Sequence, residues 1–187
     1  YENDGVICDG LSKTFLINVN GNIDPQPSFS DYNGSLSSCF GADNASIELN
    51  PIGASPFETS SSYIFSWTGP EGFQSDEQNI YNLSPGEYSL EITDSLGCVF
   101  IFEYEIDEPE PLGIQVDLEQ DILCSGAKTG EIQITPTGGV GPYTYSWSYT
   151  PIDSNNSIFY SDLEDLSNLN PGEYILILND ANQCGPV

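Results

Sequence analysis

Aromatic and β-branched residues fall in short runs in which every second position is apolar, and glycine, proline, asparagine, aspartate and serine separate the runs. In one run, Tyr88, Leu90 and Ile92 alternate with polar residues. This period of two is typical of strands that bury one face, and no stretch keeps the 3.6 period of a helix. The chain is therefore predicted to be all-β, with strands at 28–32, 46–50, 63–68, 73–75, 79–83, 87–93 and 99–106, then at 112–118, 131–135, 143–149, 157–160, 166–170 and 173–179.

The strand pattern occurs twice, because four motifs recur in the same order about 85 positions later. Cys39 recurs as Cys124, and the last cysteine of each copy is Cys98 or Cys184. The segments 63–67 and 83–88 recur as 143–147 and 169–174. A repeat of this length is a whole domain rather than a solenoid unit. We therefore predict repeats at 23–108 and 109–187, the second without its last strand, and a C-terminal fragment of a preceding repeat at 1–22. The chain would then be a window on a longer array.

Each copy has a tryptophan on its third strand, Trp67 or Trp147, and a tyrosine opening its sixth, Tyr88 or Tyr174. Seven short strands with a core tryptophan and a corner tyrosine are typical of an immunoglobulin-like sandwich. We expect these four residues to form the structural core. Between the copies, two prolines and three acids at 106–111 predict a short, stiff, extended linker that sets the modules end to end.

The charge of the chain excludes several classes of partner and of chemistry. There are 29 acidic residues, two basic residues and no histidine, for a net charge of −27. Nucleic acid and anionic membrane surfaces need basic residues, and direct membrane insertion needs a long apolar run that is absent from the sequence. Without histidine there is no Ser-His-Asp triad, Cys-His dyad or histidine metal site. We therefore expect no catalysis and no cofactor.

Calcium is the metal that this set of ligands suits, since it takes six to eight oxygen atoms. The candidate ligands are Asp107, Glu108 and Glu110 at the joint, with Asp121 nearby. None of them has the spacing of a known calcium loop, and a solvated acidic surface is the alternative interpretation.

Four motifs together resemble the SprB repeat: Cys-x-Gly early in each copy, Gly-Pro-Tyr-x-Tyr-Ser-Trp at 141–147, Leu-x-Pro-Gly-x-Tyr, and Asp-x-x-x-Cys near the end. SprB repeats occur in giant cell-surface adhesins and gliding-associated proteins of the Bacteroidota. The resemblance implies an extracellular protein secreted by the type IX system, displayed on the cell surface, with a role in adhesion or gliding. The segment 94–96 also resembles the short O-glycosylation signal of these bacteria, with Ser95 as the acceptor.

An extracellular chain with two cysteines in each module is expected to carry disulfides. Cys39 to Cys98 with Cys124 to Cys184 is the simple arrangement, but in an immunoglobulin topology these loops lie at opposite ends of a module. Stacking the modules end to end offers the alternative of Cys39 to Cys184. Cys8 belongs to the leading fragment, and reduced thiols are the third possibility.

Three hypotheses for function follow. The first is a structural spacer in a long adhesin or filament, whose partners are neighbouring repeats and other copies of the chain. The second is a binding module whose turns at 69–72 and 151–156 contact a glycan or a surface. The third is an accessory domain of a larger secreted enzyme.

Overall fold

The computed structural model describes residues 21–57, 63–124 and 127–185. Within these ranges every regular element is a β-strand, apart from one 3-10 turn at Pro70–Gly72. The predicted all-β class is therefore confirmed. The leading fragment, including Cys8, lies almost entirely outside the described residues.

The first module is built from two antiparallel sheets. The smaller sheet has the order β2-β3-β7, the larger has the order β6-β5-β8-β9, and β1 pairs separately with β4. The strands are β1 (Ile23–Asp24), β2 (Pro27–Phe29), β3 (Ala45–Leu49), β4 (Ile52–Gly53), β5 (Ile64–Thr68), β6 (Gln74–Ser75), β7 (Ile80–Leu83), β8 (Gly86–Thr93) and β9 (Val99–Ile106).

Alternate residues of facing strands fill the space between the two sheets with one core. Ile47 on β3 and Leu90 on β8 are fully buried, and Trp67 on β5 is 1% exposed. The indole Nε1 of Trp67 donates to the carbonyl of Glu77 at 3.0 Å, so the buried ring leaves no polar atom unpaired. This strand order, with a buried tryptophan on the strand β5 at the centre of the core, is that of an immunoglobulin-like sandwich.

The second module repeats the arrangement, with sheets β10-β11-β14 and β13-β12-β15. Its tryptophan, Trp147, is also buried and donates to the carbonyl of Leu163 at 2.9 Å. In the described residues β15 lies at a sheet edge, whereas its counterpart β8 is covered by β9. The strands are β10 (Gly113–Gln120), β11 (Gly130–Thr137), β12 (Thr144–Pro151), β13 (Ile158–Ser161), β14 (Leu166–Leu169) and β15 (Gly172–Asn179).

The two tyrosines of the repeated Pro-Gly-Glu-Tyr motif form corners. The Tyr88 hydroxyl donates to the carbonyl of Ser84 at 2.9 Å, and the Tyr174 hydroxyl donates to the carbonyl of Asn170 at 3.1 Å. Tyr88 is 2% exposed, while Tyr174 is half-buried because no described strand pairs with the outer edge of β15. Each corner ties the loop before β8 or β15 to the core of its module.

The first strand is where the sequence-based prediction was wrong. It was expected to run through residue 32, but β2 ends at Phe29 and the chain turns back. The Asp31 carboxylate accepts the N–H of Gly34 at 2.7 Å, and Asn33 has a φ of +55°. Aspartate and asparagine stabilise such turns through their side chains and tolerate positive φ. This turn places residues 32 and 33 against the second module. The short β1–β4 pair was also not predicted.

Candidate functional site at the joint between the modules

A disulfide crosses the joint between the two modules. Cys39, in the β2–β3 loop, is bonded to Cys184, which follows β15, and their Cα atoms are 5.6 Å apart. Of the arrangements that the sequence left open, this is the one in the structure. Cys98 and Cys124 are exposed and have free thiols, so the arrangement within each module is not formed. Cys8 lies outside the described residues.

A buried aspartate builds the turn that carries Cys184. Asp180 is 3% exposed. Its Oδ1 accepts the N–H groups of Asn182 at 2.9 Å and of Cys184 at 2.8 Å, and its Oδ2 accepts the N–H of Val140 at 2.8 Å. A carboxylate that accepts several backbone N–H groups fixes the turn without any regular secondary structure. We call this segment, residues 180–184, the second Asp–Cys turn.

The side chain of Asn182 inserts from this turn into the first module. Its Nδ2 donates to the carbonyls of Ser38 at 2.8 Å and of Tyr32 at 3.1 Å. Its Oδ1 accepts from Nδ2 of Asn33 at 2.6 Å. Both donor hydrogens and the acceptor are therefore used, and the contact depends on the turn that ends β2 early. No motif in the sequence pointed to Asn182 or Asn33 as contacts between the modules. The available signal for Asn182 was a difference between the copies, because the equivalent residue in the first copy is Leu96.

The acidic linker also makes hydrogen bonds at the joint. The Glu108 carboxylate accepts the N–H of Gly41 in the β2–β3 loop, and the carbonyl of Glu110 accepts the N–H of Gly139 at 2.8 Å. Gly138 has a φ of +63°, and a Cβ atom on it would lie 2.0 Å from the Pro111 carbonyl oxygen. Only glycine fits this approach. The linker is thus held to both modules.

The predicted calcium ligands are not gathered in the structure. Glu108 faces a backbone N–H, and Asp107, Glu110 and Asp121 are exposed. In the described ranges no three acids or cysteines lie close enough to hold a metal ion. Calcium binding stays a prediction.

The first module has an Asp–Cys turn of its own, residues 94–98, which contains the predicted glycosylation site. Ser95 is exposed, and the Asp94 carboxylate accepts the N–H groups of Leu96 at 3.0 Å and of Cys98 at 2.8 Å. Burial raises the pKa of Asp94, but the donated hydrogen bonds lower it, and the pKa lies below its usual value. Glycosylation of Ser95 stays a prediction.

The two turns predicted to bind a glycan or surface lie between equivalent strand pairs. The turn at 69–72 joins β5 to β6, and the turn at 151–156 begins at the end of β12, before β13. Ile152 in the second turn is 73% exposed. The two tryptophans, by contrast, are buried and offer no stacking surface. Glycan binding stays a prediction.

Comparison with known proteins agrees with the resemblance drawn from the motifs. Residues 120–149 match the model of the SprB repeat, which confirms that resemblance from the end of β10 through β11 and most of β12. None of the curated proteins compared with the chain matches it.

Among solved structures, the three N-terminal domains of the highly immunogenic outer capsid protein (Hoc) of bacteriophage RB49 are similar to this chain. The identity is 14% and the TM-score 0.48, over 84% of this chain and 54% of that one. This chain thus spans about half the length of that structure. In the described residues no helix is long and apolar enough to cross a membrane.

Proposed function

We propose that this chain, which contains an SprB repeat, is a structural spacer of a long secreted surface adhesin or filament that serves attachment or gliding. SprB repeats are associated with the cell surface. The observation that carries the proposal is the covalent bridge between two successive modules at Cys39 and Cys184. A bridge across a joint serves to fix one module relative to the next, which is what a spacer requires.

The joint restricts rotation as well as separation. Besides the disulfide, Asn182 hydrogen-bonds to three groups of the first module, and Glu108 holds the linker to the β2–β3 loop. Contacts from two different segments of the chain define the orientation of one module relative to the other, whereas a single bond would allow the modules to rotate about it. The net charge of −27 adds self-repulsion, which favours an extended array and keeps it soluble. The proposal assigns no catalysis to this chain.

The orientation of the two modules can be measured by residual dipolar couplings of backbone amides. The oxidised chain should fit one alignment tensor for both modules, because they tumble as one body. The variant Cys39→Ser with Cys184→Ser should need two tensors of different magnitude, while Cys98→Ser with Cys124→Ser should behave like the parent. Two independent tensors in the oxidised parent would refute the spacer proposal.

Surface display can be tested separately in the cells that make the protein. Antibodies raised against this chain should label intact, unpermeabilised cells. Deleting the chain from the full-length protein in frame should lower attachment to a surface or gliding speed. Labelling only after permeabilisation would contradict the proposed location.

A further inference from the structure

A tight turn of the first module meets the second module at the joint. The N–H of Tyr32 donates to the carbonyl of Ser35 at 2.8 Å, and the N–H of Ser35 donates to the carbonyl of Tyr32 at 3.3 Å. The two residues between them have positive φ, +55° at Asn33 and +97° at Gly34. These are the features of a type I′ hairpin turn, for which Asn-Gly is the preferred pair. The fold therefore favours asparagine followed by glycine at the place where the modules meet.

Asparagine followed by glycine is also a pair that modifies itself. The backbone nitrogen of Gly34 can attack Cγ of the Asn33 side chain, because glycine has no side chain to hinder the approach. As the new N–C bond closes a succinimide ring, the side-chain amide leaves as ammonia and takes with it the proton of the Gly34 N–H. Water then opens the ring at one of its two carbonyl groups and leaves aspartate or isoaspartate. One water is consumed, one ammonia is released, and nothing is oxidised or reduced.

In the closed joint both reacting groups are held by hydrogen bonds. The N–H of Gly34 donates to the Asp31 carboxylate at 2.7 Å, and Nδ2 of Asn33 donates to Oδ1 of Asn182 at 2.6 Å. Asn182 also donates to the carbonyl of Tyr32, the residue before Asn33. Ring closure needs rotation about the bonds of Asn33 to bring the Gly34 nitrogen onto Cγ, and these hydrogen bonds restrict that rotation. The joint therefore opposes the reaction while it stays closed.

Water has access to the turn through a crevice between the modules. Asn33 is exposed, and it lines a cavity of about 590 Å³ together with residues of the second module around Thr144 and Asp180. A water molecule takes about 30 Å³ in the liquid, so the crevice has room for many. The geometry of the turn, rather than the supply of water, therefore limits the reaction.

We propose that Asn33 is a deamidation site that the joint protects, so that it reacts when the joint opens and then opposes reclosure. After the reaction residue 33 has a carboxylate and no Nδ2 to donate, and an acceptor faces the Oδ1 acceptor of Asn182. The Asp31 carboxylate on the same turn adds like-charge repulsion. Isoaspartate also inserts one carbon atom into the backbone of the turn. This inference rests on the joint itself and goes beyond the spacer function.

The first experiment follows deamidation of the oxidised chain at mildly alkaline pH. Peptide mapping by mass spectrometry measures the loss of the Asn33 amide and separates aspartate from isoaspartate. The variant Cys39→Ser with Cys184→Ser should react about tenfold faster than the parent, because slow chemistry in a transiently open state follows the population of that state. Cys98→Ser with Cys124→Ser is the matched control and should react at the parent rate. Equal rates in the two double variants would overturn the proposal.

A second Asn-Gly pair in the sequence, Asn20–Gly21, calibrates the chemistry. Asn20 lies outside the described residues, so the comparison is made on the reduced chain in concentrated urea. There both pairs should deamidate at similar rates, since the fold holds neither. The native, oxidised chain should lose the Asn33 amide at least about tenfold more slowly than the chain in urea. A native rate at Asn33 equal to the rate in urea would mean that the joint gives no protection, and the proposal would fall.

Asn182→Ala tests the contact itself with the disulfide in place. The variant lacks the acceptor for the Asn33 amide and should deamidate at that residue about threefold faster or more, while mass mapping still finds Cys39 bonded to Cys184. Leu96→Ala is the matched control, because Leu96 has the equivalent position in the Asp–Cys turn of the first module and is 67% exposed. It should react at the parent rate. Equal rates for the two alanine variants would contradict protection by the joint.

The effect on reclosure is tested with Asn33→Asp, which carries a product of the reaction. Asp-Gly forms the same type of turn, so the fold is kept. In glutathione buffers the bond between Cys39 and Cys184 should need an about tenfold more oxidising ratio to form than in the parent, because one hydrogen bond is lost and two acceptors meet. Asn155→Asp makes the same charge change on an exposed residue in the turn after β12 and should match the parent. Equal bridge formation in the two aspartate variants would overturn the proposed effect on reclosure.

Discussion

Replacing Cys39 and Cys184 together by serine should lower the free energy of unfolding by about 4–5 kcal/mol. The disulfide joins residues 145 positions apart, and closing a loop of that length in the unfolded chain costs about 5 kcal/mol of chain entropy at 25 °C. When only the second module unfolds, the closed loop is roughly half as long. The cost then falls only to about 4.5 kcal/mol, because it depends on the logarithm of loop length. The bridge therefore stabilises each module as well as the pair.

Urea unfolding measures this difference, and the chain supplies its own probes. Trp67 and Trp147 are buried, one in each module, so tryptophan fluorescence follows both. The matched control is Cys98→Ser with Cys124→Ser, which removes two exposed thiols and should change stability by less than about 0.5 kcal/mol. In thermal unfolding the bridge variant should melt lower by about 10 °C or more. Equal urea midpoints for the two double variants would show that the bridge does not constrain the unfolded chain and would refute the predicted stabilisation.

Tyr104 and Tyr88 form a second matched pair. The Tyr104 hydroxyl is buried with no hydrogen-bond partner in the described residues. Tyr104→Phe should therefore leave the urea midpoint unchanged or raise the free energy of unfolding by about 1 kcal/mol. Tyr88→Phe, which removes a hydrogen bond to the Ser84 carbonyl, should lower the free energy of unfolding by about 1 kcal/mol. Equal losses of stability in the two variants would mean that the Tyr104 hydroxyl has a hydrogen-bond partner. The pKa of Asp94 is lower in the folded state than its usual value, so its contribution to stability is present above the unfolded pKa and is lost as pH falls through the folded pKa. Asp94→Asn should flatten the decrease of the urea midpoint below about pH 4, and an unchanged acid slope would contradict this. Calcium and magnesium at equal ionic strength should raise the melting temperature equally by screening the net charge of −27. A rise specific to calcium would indicate a bound ion.

Strand positions follow from the sequence because burial of one sheet face is a local, periodic requirement. Tyr88, Leu90 and Ile92 alternate with polar residues, and all three face the core. The repeat helps further, since a motif seen twice marks the same element twice. The first strand was placed three residues too long at its C-terminal end, because the turn at Asp31 and Asn33 ends pairing before the aromatic residue Tyr32.

The joint was harder to predict because its partners are far apart in the chain. Asn182 contacts Tyr32 across 150 positions, and no periodicity connects such residues. Cysteine spacing allowed several pairings, and the choice depends on how the modules stack. What the sequence did contain was a difference between the copies, with Leu96 where the second copy has Asn182. Such differences mark positions at which equivalent turns meet different neighbours.

The disulfide also determines which part of the chain carries tension when its two ends are pulled apart. Force passes along the backbone to Cys39, crosses the sulfur–sulfur bond to Cys184 and continues from there. Nearly all the strands of both sandwiches lie between these residues and bear none of it. With the bridge intact, only the 39 residues up to Cys39 and the four from Cys184 can be drawn out, roughly 150 Å at about 3.5 Å per residue. Without the bridge, all 187 residues would extend to roughly 650 Å. The oxidation state of one pair of sulfur atoms thus decides whether this segment yields under tension or holds its length.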